Sequence, residues 1–359
     1  MHHVILVDSE PGSSALAGRY RGVATVDHRV QRGGSTGTTT PACTSSSITS
    51  PPVIRDRQLR LNPGVPAGDA STLEPASNPR RFTMIKRLPV VAAIPNFNMA
   101  ENLRNLIPQV LAQRYDGVFV LDDASTDHSV DAVGEYGGEV RVVRSPENRG
   151  AGANRNQIID QVGDEAIIHF IDADMDLKTA ETPAVARQVI DRYADRGVGV
   201  VGGLVTRLDG GQEYCNYGAV FSLWGNFTSN GPRLIDRLRE KPRLARAVHR
   251  AAAPTMTGWP NVLEPPAPAP AYWVHEGNML VLSGIFRSVG GYDSKLRHHE
   301  VQDLAIRLEK RGIKTQFDPS IQVVHQHIDV RGKNRNKWAH EATQYLIRKH
   351  GLYRFLTDR

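Results

Sequence analysis

The stretch Ile167-Ile168-His169-Phe170-Ile171-Asp172-Ala173-Asp174-Met175-Asp176 decides the fold. It runs from an apolar segment, of the kind buried in a parallel sheet, straight into three acids with no basic neighbour. Open parallel sheets gather their ligand sites beyond the carboxyl ends of the strands, where the loops converge on a crevice. Continued extension would put Asp172 and Asp174 on one side, with the small Ala173 between them. Two carboxylates that close repel unless a cation lies between them. Mg2+ and Mn2+ take such oxygen ligands together with substrate phosphates, so the pattern points to a metal diphosphate. Taken alone, Asp172 to Asp176 also reads as a solvated loop or a helix cap.

Working outward, Val90 to Ile94 is a short apolar run stopped by Pro95, and Gly117 to Leu121 and Val140 to Val143 read as further strands. Between them Leu103, Leu106, Ile107, Val110 and Leu111 recur at helical spacing, behind an expected capping box of Asn98 with Glu101. Repeated strand-helix-strand units predict an α/β, Rossmann-like, mostly parallel sheet flanked by helices. Later signals are a strand over Asn278 to Leu282, a helix from about Glu300 to Lys310 and a strand over Ile321 to Val324. A last helix places Trp338, Ala342, Tyr345 and Leu346 on one face. Between Asp209 and Trp273 the pattern is irregular, and Arg233 to Arg239 with Arg243, Arg246 and Arg250 reads as a basic amphipathic helix or an ordinary surface one.

The 359 residues are globular in composition, with 40% hydrophobic and 23% charged side chains. Cys43 and Cys215 match no metal or redox spacing, and neither a signal peptide nor a spanning run is legible, so a cytoplasmic location is expected. Residues 1–83 are rich in Ser, Thr, Pro and Gly and are expected to be disordered. Met84, just before the first strand, raises the expectation that the natural start lies there. The net charge of +6 suits an anionic ligand, an anionic membrane surface or nucleic acid. The acids at the presumed site count against nucleic acid. A dinucleotide oxidoreductase is disfavoured because Gly150-Ala151-Gly152-Ala153-Asn154-Arg155 lacks the last glycine of its fingerprint.

Ile94 to Leu103, Leu121 to Ser129, Glu147 to Asn156 and Asp172-Ala173-Asp174 follow one another in an order that resembles family 2 glycosyltransferases of the GT-A fold. The resemblance spans roughly Leu88 to Ile328. It implies transfer of a sugar from a UDP- or GDP-type nucleotide sugar to a hydroxyl, with Mn2+ or Mg2+, in cell envelope polysaccharide or glycolipid synthesis. It implies donor contacts from Pro95, Asn98, Glu101, Asp123, Asn148, Arg155 and Asp172, and metal ligands in Asp172, Asp174 and His325. Ala124 stands where the family often has glycine. On this division residues 84–204 form the donor half, 205–330 the acceptor half with its variable segment, and 331–359 a basic C-terminal helix.

Glu276 to Leu280, Val289 to Asp293 and His298 to Leu304 resemble the acceptor side of the same enzymes. Inverting members place an aspartate base after the glutamate, where this chain has Val301. Glu300 and Asp303 are then the candidate bases, against the plainer possibility that both cap a helix and Asp303 pairs with Arg307. Inversion is favoured over retention. A carbohydrate or lipid-linked acceptor and a peripheral contact at the inner face of a membrane are expected. The departure at Val301 leaves open a non-catalytic nucleotide or carbohydrate binder on a decayed transferase.

Overall fold

The structure, a computed structural model, describes residues 88–327 and 334–357. The expectations for residues 1–83 and Met84, and the basic residues 331–333, lie outside the described residues. The chain begins with β1 (Val90–Asn96), α1 (Ala100–Ala112), β2 (Gly117–Asp122), α2 (Ser129–Gly134), β3 (Arg141–Arg144), α3 (Ala151–Arg155) and β4 (Ile167–Ile171). The short β5 (Met175–Leu177), α4 (Thr182–Tyr193) and β6 (Val198–Arg207) follow. The irregular segment holds β7 (Tyr217–Gly218), α5 (Leu223–Thr228), α6 (Gly231–Asp236), α7 (Pro242–Ala252), β8 (Ala269–Ala271) and β9 (Trp273–Val274). Last come β10 (Asn278–Leu282), α8 (Ser283–Ser288), α9 (Glu300–Glu309), β11 (Lys314–His325), α10 (Arg335–His350) and α11 (Leu352–Thr357).

Among the described residues nine strands form one sheet in the order β3-β2-β1-β4-β10-β6-β11-β5, with β8 also paired to β11. The first four strands are parallel, as expected. Beyond β4 the sheet is mixed: β10 runs antiparallel to both β4 and β6, while β11 is parallel to β6. Asn278 at the start of β10 pairs with Ile171 at the end of β4, so the chain enters the sheet from the ligand end. Every residue of β1 and β4 is buried, which is why both read as unbroken apolar runs. Leu103, Leu106, Ile107 and Val110 of α1 are fully buried under the sheet, each contributing about 1.5–3 kcal/mol.

Three local expectations are corrected. Pro95 does not stop β1, which continues to Asn96 in register with β2. Pairing with β4 ends at Ala93, so on that side there is no ladder for the proline to break. The Asn98 and Glu101 capping box does not form: Met99 is the N-cap residue, and Asp127 Oδ2 accepts from Ala100 N at 3.0 Å instead. Finally, the basic stretch is two helices, α6 and α7, rather than one. α6 ends at Asp236, turn bonds such as Arg239 N to Asp236 O and Lys241 N to Leu238 O carry the chain onward, and Pro242 suits the first turn of a new helix.

Candidate active site

The Asp172-Ala173-Asp174 segment is a turn rather than continued strand, with Met175 N donating to Asp172 O at 3.1 Å. The turn delivers the chain into β5, where Met175 pairs with His325 of β11. The two acids therefore diverge. Asp174, buried, has its Oδ2 3.1 Å from His325 Nε2, while the other ring nitrogen of His325 lies 3.1 Å from Glu213 Oε1. His327 Nε2 lies 3.0 Å from the same Glu213 oxygen. Burial works against a charge on His325, but its bonds to Asp174 and Glu213 prevail and push its pKa up to about 10. Glu213, His325 and His327 each present a ligand atom within 4.8 Å of the others, a set that could hold a metal ion.

Glu213 is the member that sequence reasoning missed. The reversal after β6, in which Arg207 N donates to Gly211 O and Glu213 N donates to Val205 O, folds it back beside the end of β11. Nothing in the residue order around it signals a ligand.

Asp172 turns the other way and accepts a charge-assisted hydrogen bond from Arg155 Nη2. Gly277 makes room for it, since a β-carbon there would meet Asp172 Oδ2 at 2.7 Å. Burial tends to raise the Asp172 pKa, but Arg155, His275 and His325 hold it below the usual carboxylate value. Arg155 is only 3% exposed, and its Nε and Nη1 atoms have no hydrogen-bond partner in the protein. Its guanidinium sits 5.9 Å from the centre of the Tyr292 ring, in the field of Asp172, Glu276 and Glu300.

The two loops nearest the first strands brace one another. Asn98, at φ 55°, accepts from Thr126 N at 2.8 Å, and its own N–H donates to Ser125 Oγ at 2.9 Å. Both Asp123 oxygens are engaged, by Arg149 N at 2.9 Å and Gly150 N at 2.8 Å, fixing the entry to α3. Burial nonetheless lifts the Asp123 pKa above the ordinary carboxylate value. Asn148 is held by Arg297 at 2.9 Å. Pro95 is buried within β1, and Glu101 is solvent-exposed, pairing with Arg104 at 2.5 Å.

Glu300 opens α9 and is buried. A β-carbon on Gly152 would meet Glu300 Cγ at 2.9 Å, so glycine lets α3 approach the start of α9. Val301 packs in the apolar cluster with Trp273, Leu304 and Leu308. Asp303, fully buried, bonds Arg307 Nε, Lys349 Nζ and His350 Nε2, each at 2.7 Å. Those partners outweigh burial and keep its carboxyl well below the usual range.

Acids, an arginine and histidines thus converge at the strand ends of this α/β sheet, where open sheets of this kind gather their ligand sites. This chain matches, over residues 91–228, the family model described as Glycosyl transferase family 2. It is 27% identical over 282 residues to an N-acetylglucosaminyl-diphospho-decaprenol L-rhamnosyltransferase of Mycobacterium tuberculosis, covering 76% of this chain and 84% of the relative. Among solved structures it is similar to a Pyrobaculum calidifontis mannosyltransferase in complex with GDP-Man and Mn2+, with TM-score 0.45, 18% identity and 70% of this chain covered. It is also similar to S. aureus TarS 1-349 in complex with UDP-GlcNAc, with TM-score 0.44, 14% identity and 67% covered. The chain spans 61% and 60% of those two proteins' lengths.

Proposed function

We propose that this enzyme transfers a sugar from a nucleoside diphosphate donor to a hydroxyl of a lipid-linked acceptor, with inversion, in building a cell-envelope polysaccharide or glycolipid. The convergence of Asp174, His325 and Glu213 beside the Asp172–Arg155 pair is the observation that carries it. The lipid-linked acceptor is suggested by the name of the mycobacterial relative, which acts on a diphospho-decaprenol. Its class would bring the enzyme to the inner face of a membrane.

The mixed set of carboxylates and imidazoles fits Mn2+ better than Mg2+, because imidazole suits transition metals while Mg2+ prefers oxygen alone. Asp174, His325, Glu213 and His327 would hold that ion, which would supply Lewis-acid neutralisation of the departing diphosphate. Asp172, engaged with Arg155, would orient the arginine. The two unpartnered nitrogens of Arg155, Nε and Nη1, would then donate to the donor's diphosphate or sugar. Asn98 and Asp123, through the loops they brace, would shape the base and ribose end.

Glu300 is the base in this scheme. Position 301 faces the apolar cluster, where a carboxylate would be buried without a partner, whereas Glu300 lies against Gly152 and in the field of Arg155. Glu300 would accept the acceptor's hydroxyl proton as that oxygen attacks the anomeric carbon and the bond to the diphosphate breaks. Asp303, already bonded to Arg307, Lys349 and His350, would hold the helix in place.

The test is turnover of a panel of nucleotide sugars by the purified full chain, with Mn2+, Mg2+ or EDTA. Metal-dependent release of nucleotide from one donor, lost in Asp174→Ala and in Glu300→Gln, is expected. Tight donor binding without turnover, even with polyprenyl-diphosphate sugars supplied, would indicate a decayed transferase, and no donor binding would overturn the proposal.

A further inference from the structure

Among the described residues no helix is long and apolar enough to cross a membrane. The irregular segment nevertheless carries an unusual surface. Only Ala245 of α7 is buried, and the helix divides into three sectors. Ala245, His249 and Ala252 face the protein, while Leu244, Ala247, Val248 and Ala251 form an exposed apolar stripe at i, i+3, i+4 and i+7. Arg243, Arg246 and Arg250, all exposed, make a third stripe that borders the second. In the same segment α5 exposes Trp224 and Phe227, stacked on each other at 5.7 Å, with Phe227 77% exposed. The end of α11, packed on this region through Phe221 and Phe355, adds exposed Leu352, Tyr353 and Leu356. Residues 223–257 hold seven basic side chains and two acids, so they carry +5 of the chain's net +6.

We infer that this segment, with α7 as its amphipathic element, is a docking surface for the headgroup layer of an anionic phospholipid bilayer. An exposed aliphatic stripe with arginines along its edge and aromatic side chains beside it matches the layered chemistry of that interface: acyl boundary, glycerol region and phosphate. Nucleic acid would use the arginines but leave Leu244, Val248 and Phe227 in water. A second copy of the chain meeting this face across a two-fold axis would set arginine against arginine. Docking here would hold the enzyme where a lipid-linked acceptor resides, and in that respect it rests on the acceptor proposed above; the surface itself stands on its own geometry.

Flotation of the full chain with phosphatidylcholine vesicles, with and without phosphatidylglycerol, tests this. Binding is expected only to the anionic vesicles and should weaken as salt rises. In the Arg243→Gln/Arg246→Gln/Arg250→Gln variant the partition coefficient should fall about fivefold per arginine, roughly a hundredfold in all. Leu244→Ser/Val248→Ser should lower it several-fold and retain the salt dependence. Melting temperatures matching wild type show that the variants fold. Failure to float with anionic vesicles, or binding unchanged in the triple variant, would overturn the inference. So would a dimer in solution that Leu244→Ser/Val248→Ser dissolves, without vesicle binding. Vesicle binding by a protein that binds no nucleotide sugar would sustain the docking surface while the proposed reaction fails.

Discussion

His325 Nε2 lies 3.1 Å from Asp174 Oδ2 although 151 residues separate them in the chain, and Glu213 Oε1 holds the other nitrogen of the same ring. Three distant segments meet there only because β5 turns back onto β11 and the chain reverses after β6. Glu213→Ala should weaken Mn2+ binding about 10- to 100-fold, as loss of a ligand or of the group orienting one does. Calorimetry with Mn2+ alone would measure it. Equal affinity in wild type and variant would remove Glu213 from the site, and Glu101→Ala serves as the unaffected control.

Gly152 is an opportunity to move Glu300 without touching it. The added methyl of Gly152→Ala would press on Glu300 Cγ and Tyr292 Cβ, at 2.9 and 3.2 Å. A destabilisation of about 1–3 kcal/mol is expected. A loss of turnover of roughly tenfold or more should accompany it. Denaturant melts and kcat measured side by side would check both.

Asp303 ties α9 to the C-terminal helix. Asp303→Asn would leave the Arg307 and Lys349 cations beside a buried neutral group and should cost about 3–5 kcal/mol. Its carboxyl is held well below the usual range, so its stabilisation is present above the ordinary carboxylate pKa and disappears as pH falls below it. Wild type should therefore lose stability on acidification below about pH 4 more steeply than Asp303→Asn, as melting curves would show.

His169, fully buried between Tyr115 and Asn278, contributes at a milder pH. Burial lowers its pKa to about 4 against the pull of Asn278. The unfolded chain therefore binds a proton that the folded one refuses, so stability falls by about 3 kcal/mol as pH drops from 6.5 to 4. A less stable His169→Leu variant with a flatter pH profile over that window is expected; an unchanged slope would assign the effect elsewhere.

Ala124 adopts φ 60°, a conformation that suits glycine. Relief of the left-handed strain, about 1–2 kcal/mol, exceeds the extra chain entropy that glycine brings, about 0.5–1 kcal/mol. Ala124→Gly should thus stabilise the protein by up to about 1 kcal/mol, raising Tm by a degree or more. A lower Tm would contradict it.

The buried strands were legible because burial on both faces demands unbroken apolar runs, and the strand-end acids because sheet topology makes such ends converge. Alternation failed at Asp172 and Asp174, where a turn replaces the strand and sends one acid to Arg155 and the other to His325. Glu213 was invisible because its place depends on a reversal after β6 that no local periodicity encodes. At Pro95 the neighbouring strand had already ended, a fact of pairing rather than of sequence. The separation of Glu300 from Val301 is similarly tertiary: which of two adjacent residues faces the core follows from how α9 seats on the sheet.

The insertion of β10 between β4 and β6 has a consequence for biosynthesis. β6 ends at Arg207 and β10 begins at Asn278, so about 70 residues must be translated before the middle of the sheet can close. At about 5–20 residues per second the facing edges of β4 and β6 remain unpaired for roughly 4–14 s on the ribosome. Those edges are apolar and nearly free of charge, the kind that recruits other chains. Production of this protein should consequently respond to nascent-chain chaperones and to slower growth temperature more than its finished stability would suggest.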